Sequence, residues 1–156
     1  MPTVDFKIIQ TYQVSTPQSV RDDVLIEFKY YIPRISLYQN WKTVILDGHC
    51  KILSSRENNP FQSILVSSKN LIPDQSGGLS MQLLNSSLTK RSISVEVNAE
   101  KDSIVRFSQR YHPDWSVYIN GIEEELLRVD YLSMGVFIPA GQHNVVFYCP
   151  NGNNQL

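Results

Sequence analysis

The side chains able to do chemistry in this 156-residue chain are few and scattered. Carboxylates come in runs, at Asp22 and Asp23 and from Glu123 to Glu125. A glycoside hydrolase needs two acids facing each other across a cleft, and adjacent residues of a strand point to opposite faces. Such runs therefore read as solvated turns and edges that discourage edge-to-edge pairing. The histidines, His49, His112 and His143, lack the i, i+4 pairing of a helical zinc site. Cys50 and Cys149 allow at most one disulfide and fall short of a four-ligand metal knuckle, which leaves either one bridge or two buried thiols. No GxSxG, no phosphate-binding glycine loop and no Cys-His signature occurs. The reading is no catalytic residue, no metal and no cofactor.

The densest polar and aromatic stretch is RYHPDWSVYINGIEEEL, Arg110 to Leu126. Here Tyr111, His112, Asp114 and Tyr118 flank a turn and offer ring faces beside hydrogen-bonding groups, which suits contact with a sugar. The competing role for these four is ordinary surface exposure. Trp115 sits on the alternating face of a strand and reads as core rather than as a stacking platform. His143, in AGQH, reads as a side chain that satisfies a nearby carbonyl or covers a sheet edge.

These residues need strands to hold them. Alternation with period two dominates the chain and helical spacing is nearly absent. Val4, Phe6, Ile8, Tyr12 and Val14 fall on one face of the first strand, with Asp5, Lys7, Thr11 and Gln13 opposite. Val24, Ile26, Phe28, Tyr30 and Ile32 oppose Asp23, Glu27 and Lys29, and Ile93, Val95, Val97 and Ala99 oppose Ser94, Glu96 and Asn98. Further strands are expected in RISLY, SILVSS, LSMQLL, SIVRFSQ, WSVYI, LLRVDYL, GVFIP and HNVVFYC, separated by NNP, PDQSGG, AEKD, NG and PAG. Asn120-Gly121 supplies the two positive φ angles of a type I′ hairpin turn. This pattern predicts an all-β, antiparallel two-sheet β-sandwich, jelly-roll or immunoglobulin-like, as a single domain over 1–156. At most one short helix is expected, in LDGHCKILSS with Asp47 as its cap.

A hydrophobic content of 42% with 19% charged residues is that of a globular chain. The formal net charge of -1 supplies no field for a phosphate backbone, so nucleic acid is excluded as a partner. Apolar runs such as SILV and VVFYC are far shorter than the roughly 20 residues that cross a bilayer, so the chain reads as soluble. Its first ten residues lack the pattern of a secretory signal, which leaves a cytoplasmic protein or a piece of a longer precursor.

The stretch from Ile104 to Pro150 favours the second. Tyr111, Pro113, Trp115, Val117, Tyr118, Asn120 and Gly121, followed by Pro139, Ala140, Gly141, His143, Val145 and Phe147, resemble the end of the YfhO-like family of bacterial multi-pass membrane proteins, relatives of GT-C glycosyltransferases. Pro33-Arg34 and Asn59-Pro60 extend the resemblance upstream, more loosely through the middle. Asp114 departs from it, standing where the family often has glycine. The resemblance implies a non-catalytic β-sandwich on the extracytoplasmic face of a bacterial membrane, joined to a many-helix portion that transfers a lipid-linked sugar. It also implies a scaffold or glycan-positioning role, with the membrane-embedded portion of the parent and a cell-surface glycan or glycolipid as partners. A free-standing carbohydrate-binding module is the alternative, and a small hydrolase with Glu125 or Asp130 paired across a cleft is a third class.

Overall fold

The computed structural model describes residues 6–28, 32–45, 52–53, 59–68, 72–76, 81–83, 86–89 and 91–150. The chain divides into two compact units, Met1–Ile32 and Pro33–Leu156, each described here by itself. The short helix expected around Asp47 falls largely outside the described residues, as does Cys50.

The first unit is a hairpin of β1 (Phe6–Thr16) and β2 (Ser19–Phe28). The Thr16 hydroxyl closes its turn, donating to Ser19 O at 3.0 Å and accepting from Ser19 N at 3.1 Å. One expectation is corrected. The register slips between Ile8 and Gln10, and an extra residue in one strand moves everything beyond it to the other face. Ile8 opposes Ile26 and Thr11 opposes Val24, whereas Tyr12 and Val14 oppose Asp23 and Arg21. Tyr12 and Val14 therefore do not share the face of Ile8, as strict alternation would place them.

The second unit holds two sheets. One comprises β3 (Ile35–Tyr38), β4 (Trp41–Thr43), β5 (Ile64–Ser67), β6 (Met81–Leu83), β9 (Ser103–Phe107), β12 (Leu127–Val129) and β13 (Ser133–Ile138). Its spatial order is β4-β5-β12-β13-β9-β3-β6. The other comprises β7 (Ser86–Leu88), β8 (Ser92–Ala99), β10 (Ser116–Ile119), β11 (Ile122–Glu124) and β14 (Gly141–Tyr148), in the order β11-β10-β14-β8-β7. The described elements are thus all-β, as expected. All pairs are antiparallel except β4–β5, which departs from the antiparallel expectation. The segment 44–63 between those two strands is long enough for the crossover that parallel neighbours need.

Alternation explains which side chains meet. Ile93, Val95, Val97 and Ala99 of β8, Val117 and Ile119 of β10, and Val145 and Phe147 of β14 form one core cluster with Ile35, Leu37, Val105, Phe107, Met134, Val136 and Ile138 of the seven-stranded sheet. Each fully buried aliphatic or aromatic side chain of this kind contributes about 1.5–3 kcal/mol. The seven-stranded sheet curls, and its second face encloses another cluster of Tyr38, Trp41, Ile64, Val66, Ile104, Leu127 and Val129. Strands β9 and β13, covered on both faces, consequently lose polar alternation, and all five residues of β9 are buried.

Candidate functional site

The Asn120-Gly121 turn has the predicted geometry, with φ of 52° and 84° and Ile119 paired to Ile122 across it. Its side chain also ties the turn to β14. Asn120 Oδ1 accepts from Asn144 N at 2.8 Å, while Asn120 N donates to Asn144 O at 2.8 Å. The Nδ2 group of Asn120 is therefore the one that faces His143 Nδ1, at 3.4 Å, and donates to it. That leaves the ring proton on Nε2, which donates to Pro139 O at 2.9 Å. His143 thus clasps the Pro139–Gly141 bend to the Asn120 turn.

Beside this clasp lies an open groove of about 460 Å³, lined by Glu96, Val97, Asn98, Asn120, Gln142, His143 and Asn144. Its walls follow from strand register. Asn144 opposes Glu96 and Gln142 opposes Asn98, so these four share the face of the five-stranded sheet that turns away from the core. Four amides, one carboxylate and an imidazole supply donors and acceptors without a concentration of charge, a composition matched to hydroxyl groups. Glu96 is the sole carboxylate of that lining, so the acid pair required for glycoside hydrolysis is not assembled there.

Tyr118 opposes Val146, and Tyr148 opposes Ser116, on this same outward face. Diagonal neighbours across a strand pair lie within reach of aromatic rings, so Tyr118 and Tyr148 form a half-buried aromatic strip leading from the groove. Tyr111, His112 and Asp114 lie elsewhere, before the start of β10. The run from Trp115 to Asn120 separates the two ends by about 16 Å at strand rise. The structure therefore splits the four glycan-contact candidates three to one.

At the Tyr111 end, His112 Nδ1 lies 3.3 Å from the donating Asp114 N and 3.6 Å from Asp114 Oδ1. Asp114 has no positive φ, so its backbone does not call for glycine. Trp115 is core: it is 3% exposed and meets Phe107 edge to face at 5.5 Å between centroids. Tyr111 packs against the same core cluster. Its N–H donates to Leu132 O at 2.6 Å, and the Arg128 guanidinium sits 4.3 Å over its ring. Tyr131 flanks the same guanidinium at 5.9 Å.

The acids of the hydrolase reading have structural partners. Asp130 Oδ1 accepts from Leu65 N at 2.9 Å, and its Oδ2 lies 3.4 Å from Arg106 Nε. Burial pushes the Asp130 carboxyl above its ordinary value, against the lowering effects of the Leu65 bond and the Arg106 charge. Burial likewise raises the Tyr38 hydroxyl, which donates to Pro60 O at 2.8 Å. Glu125 accepts from Ser68 Oγ at 2.9 Å. Glu123 and Glu124 lie on the exposed edge strand β11. No group of three or more His, Cys, Asp or Glu able to hold a metal occurs among the described residues.

Sequence reasoning missed Arg128, Tyr131 and the amide row Asn98, Gln142 and Asn144. Their outward positions could be read from alternation, yet nothing in the sequence states which strands become neighbours. Among the described residues no helix is long and apolar enough to cross a membrane. No curated protein and no solved structure matches the chain. The family model described as bacterial membrane protein YfhO matches residues 77–155.

Proposed function

The chain belongs to the YfhO family of bacterial membrane proteins, and from that premise we propose that it is the non-catalytic, extracytoplasmic accessory domain of a membrane-embedded glycosyltransferase-like protein. In this reading the groove and its aromatic strip hold a glycan or acceptor for chemistry performed by the membrane portion of the parent. The observation that carries the reading is the row of Asn98, Asn120, Gln142 and Asn144 around an open cleft. Amides of that kind can exchange paired donor and acceptor bonds with vicinal hydroxyls, and Tyr118 and Tyr148 offer ring faces alongside.

Chemical-shift titration of the 156-residue chain with neutral cell-wall saccharide fragments tests the binding part. Shifts concentrated at Asn98, Asn120, Gln142, Asn144 and Tyr118 are expected, and they weaken in Asn144→Ala. Saturating saccharide without such shifts removes the glycan role and leaves the scaffold role. The parent gene tests the rest: a neighbouring in-frame sequence rich in hydrophobic spans is expected. A gene without one would turn the reading to a free-standing carbohydrate-binding module.

A further inference from the structure

The arrangement at the opposite end of β10 points to a second binding element. We propose that Arg128, held between Tyr111 and Tyr131, recognises the carboxylate of an acidic saccharide of the uronate type. This inference rests on the glycan reading above and narrows its substrate class.

Arg128 lies on β12 opposite Met134, which in turn lines up with Phe107 on β9. It therefore occupies the core-facing side of its sheet, with Met134 and Phe107 both in the first core cluster. Arg128 itself remains half-buried at that cluster's margin, where Tyr111 covers it. Among the described residues its guanidinium has ring contacts and no hydrogen-bond or ion-pair partner. An arginine whose stem is packed and whose plane rests on an aromatic face has lost much of its rotational freedom already. Its fork of N–H donors is then presented for a planar, bidentate carboxylate.

The turn beside it is built at a cost. Asp130 and Tyr131 are consecutive non-glycine residues with φ of 46° and 68°, a left-handed conformation that residues with a β-carbon seldom adopt. Asp130 is fastened there by two hydrogen bonds with the Leu65 backbone: its N–H donates to Leu65 O at 2.9 Å, and its carboxylate accepts from Leu65 N at 2.9 Å. The consequence is that Tyr131 and Leu132 project, 38% and 59% exposed, next to Arg128. A ring face adjoining a guanidinium fits a pyranose bearing a carboxylate: the ring stacks on Tyr131 while the acid meets Arg128. An extended acidic peptide fits less well. Recognition of that kind adds a strand to an open sheet edge, and β12 is paired on both sides, by β13 and β5.

Titration of the 156-residue chain with a glucuronate-containing disaccharide, its glucose counterpart, a diglutamate peptide and inorganic phosphate tests this assignment. The uronate disaccharide is expected to shift Tyr111, Arg128 and Tyr131 and to bind at least about tenfold more tightly there than the neutral one. Arg128→Lys, which retains charge but not the planar fork, should lose several-fold in affinity with an unchanged amide spectrum elsewhere. Arg128→Met should abolish the preference for uronate. Equal affinity for the neutral sugar, equal or tighter binding of diglutamate or phosphate, or full retention in Arg128→Lys would each overturn the proposal. If neutral sugar shifts the Asn98–Asn144 groove and uronate leaves Arg128 untouched, the glycan reading survives and this inference fails. If neither sugar shifts either region, both fail.

Discussion

At the scale of single residues, the most informative is Asp130, because opposing effects meet on one carboxylate. Removal from water raises its affinity for a proton more than the Leu65 N–H and Arg106 lower it. The folded chain therefore takes up this proton at a higher pH than the unfolded chain, whose value lies near the ordinary 3.8. A raised value in the folded state means a stabilising contribution fully present below that ordinary value and lost as pH rises through the folded one. Asp130→Asn keeps an acceptor for Leu65 N and removes the titration. Its cost at neutral pH should consequently be small, within about 1 kcal/mol, rather than the roughly 3–5 kcal/mol typical of a broken buried pair. Urea midpoints of both proteins at about pH 3.5 and pH 7 check this: the wild type should lose ground to the variant as pH rises. A variant destabilised in full at pH 7 would mean that Arg106 depends on the charge after all.

Among the elements, the bend from Pro139 to Gly141 shows how one backbone conformation carries the chain from β13 of one sheet to β14 of the other. Gly141 has φ of 130°, a region that residues with a β-carbon avoid, and an added Cβ there would sit 3.6 Å from His143 Nε2. Gly141→Ala is expected to destabilise the chain by about 1–3 kcal/mol and to loosen the His143 bond to Pro139. A lowered urea midpoint together with altered His143 ring resonances would register it, and an unchanged midpoint would refute it. Much at this scale was legible beforehand. The alternation in SISVEVNA became β8 with Ile93, Val95, Val97 and Ala99 buried, and Asn120-Gly121 became the expected turn. The bulge after Ile8 was not legible, because no glycine or proline marks it. The parallel pairing of β4 with β5 was also hidden, since it depends on strand partners distant in sequence. The amide groove is illegible for the same reason: Asn98, Asn120 and Gln142 converge only through pairing.

For the whole molecule, both core clusters draw their described members from Ile35 onward, whereas the first hairpin leaves Ile8, Val20, Val24 and Leu25 about half exposed or more. A two-stranded ribbon by itself is marginal in water. Residues 33–156 alone are therefore expected to retain a dispersed amide spectrum and nearly the denaturant midpoint of the full chain. Collapse of that spectrum on truncation would show that the core needs the hairpin. The division into two units was not visible in the strand pattern, which is equally regular in both.

The place of β14 has a consequence for how the protein is made. It lies between β10 and β8 and follows both of them in the sequence. Until it emerges, β8 waits with Ile93, Val95 and Val97 uncovered along one side, an open ladder that other nascent chains could capture. Completion of the five-stranded sheet thus waits until 141–148 has been made, and a stall or premature stop within that segment would release a sticky intermediate rather than a slightly shortened native protein.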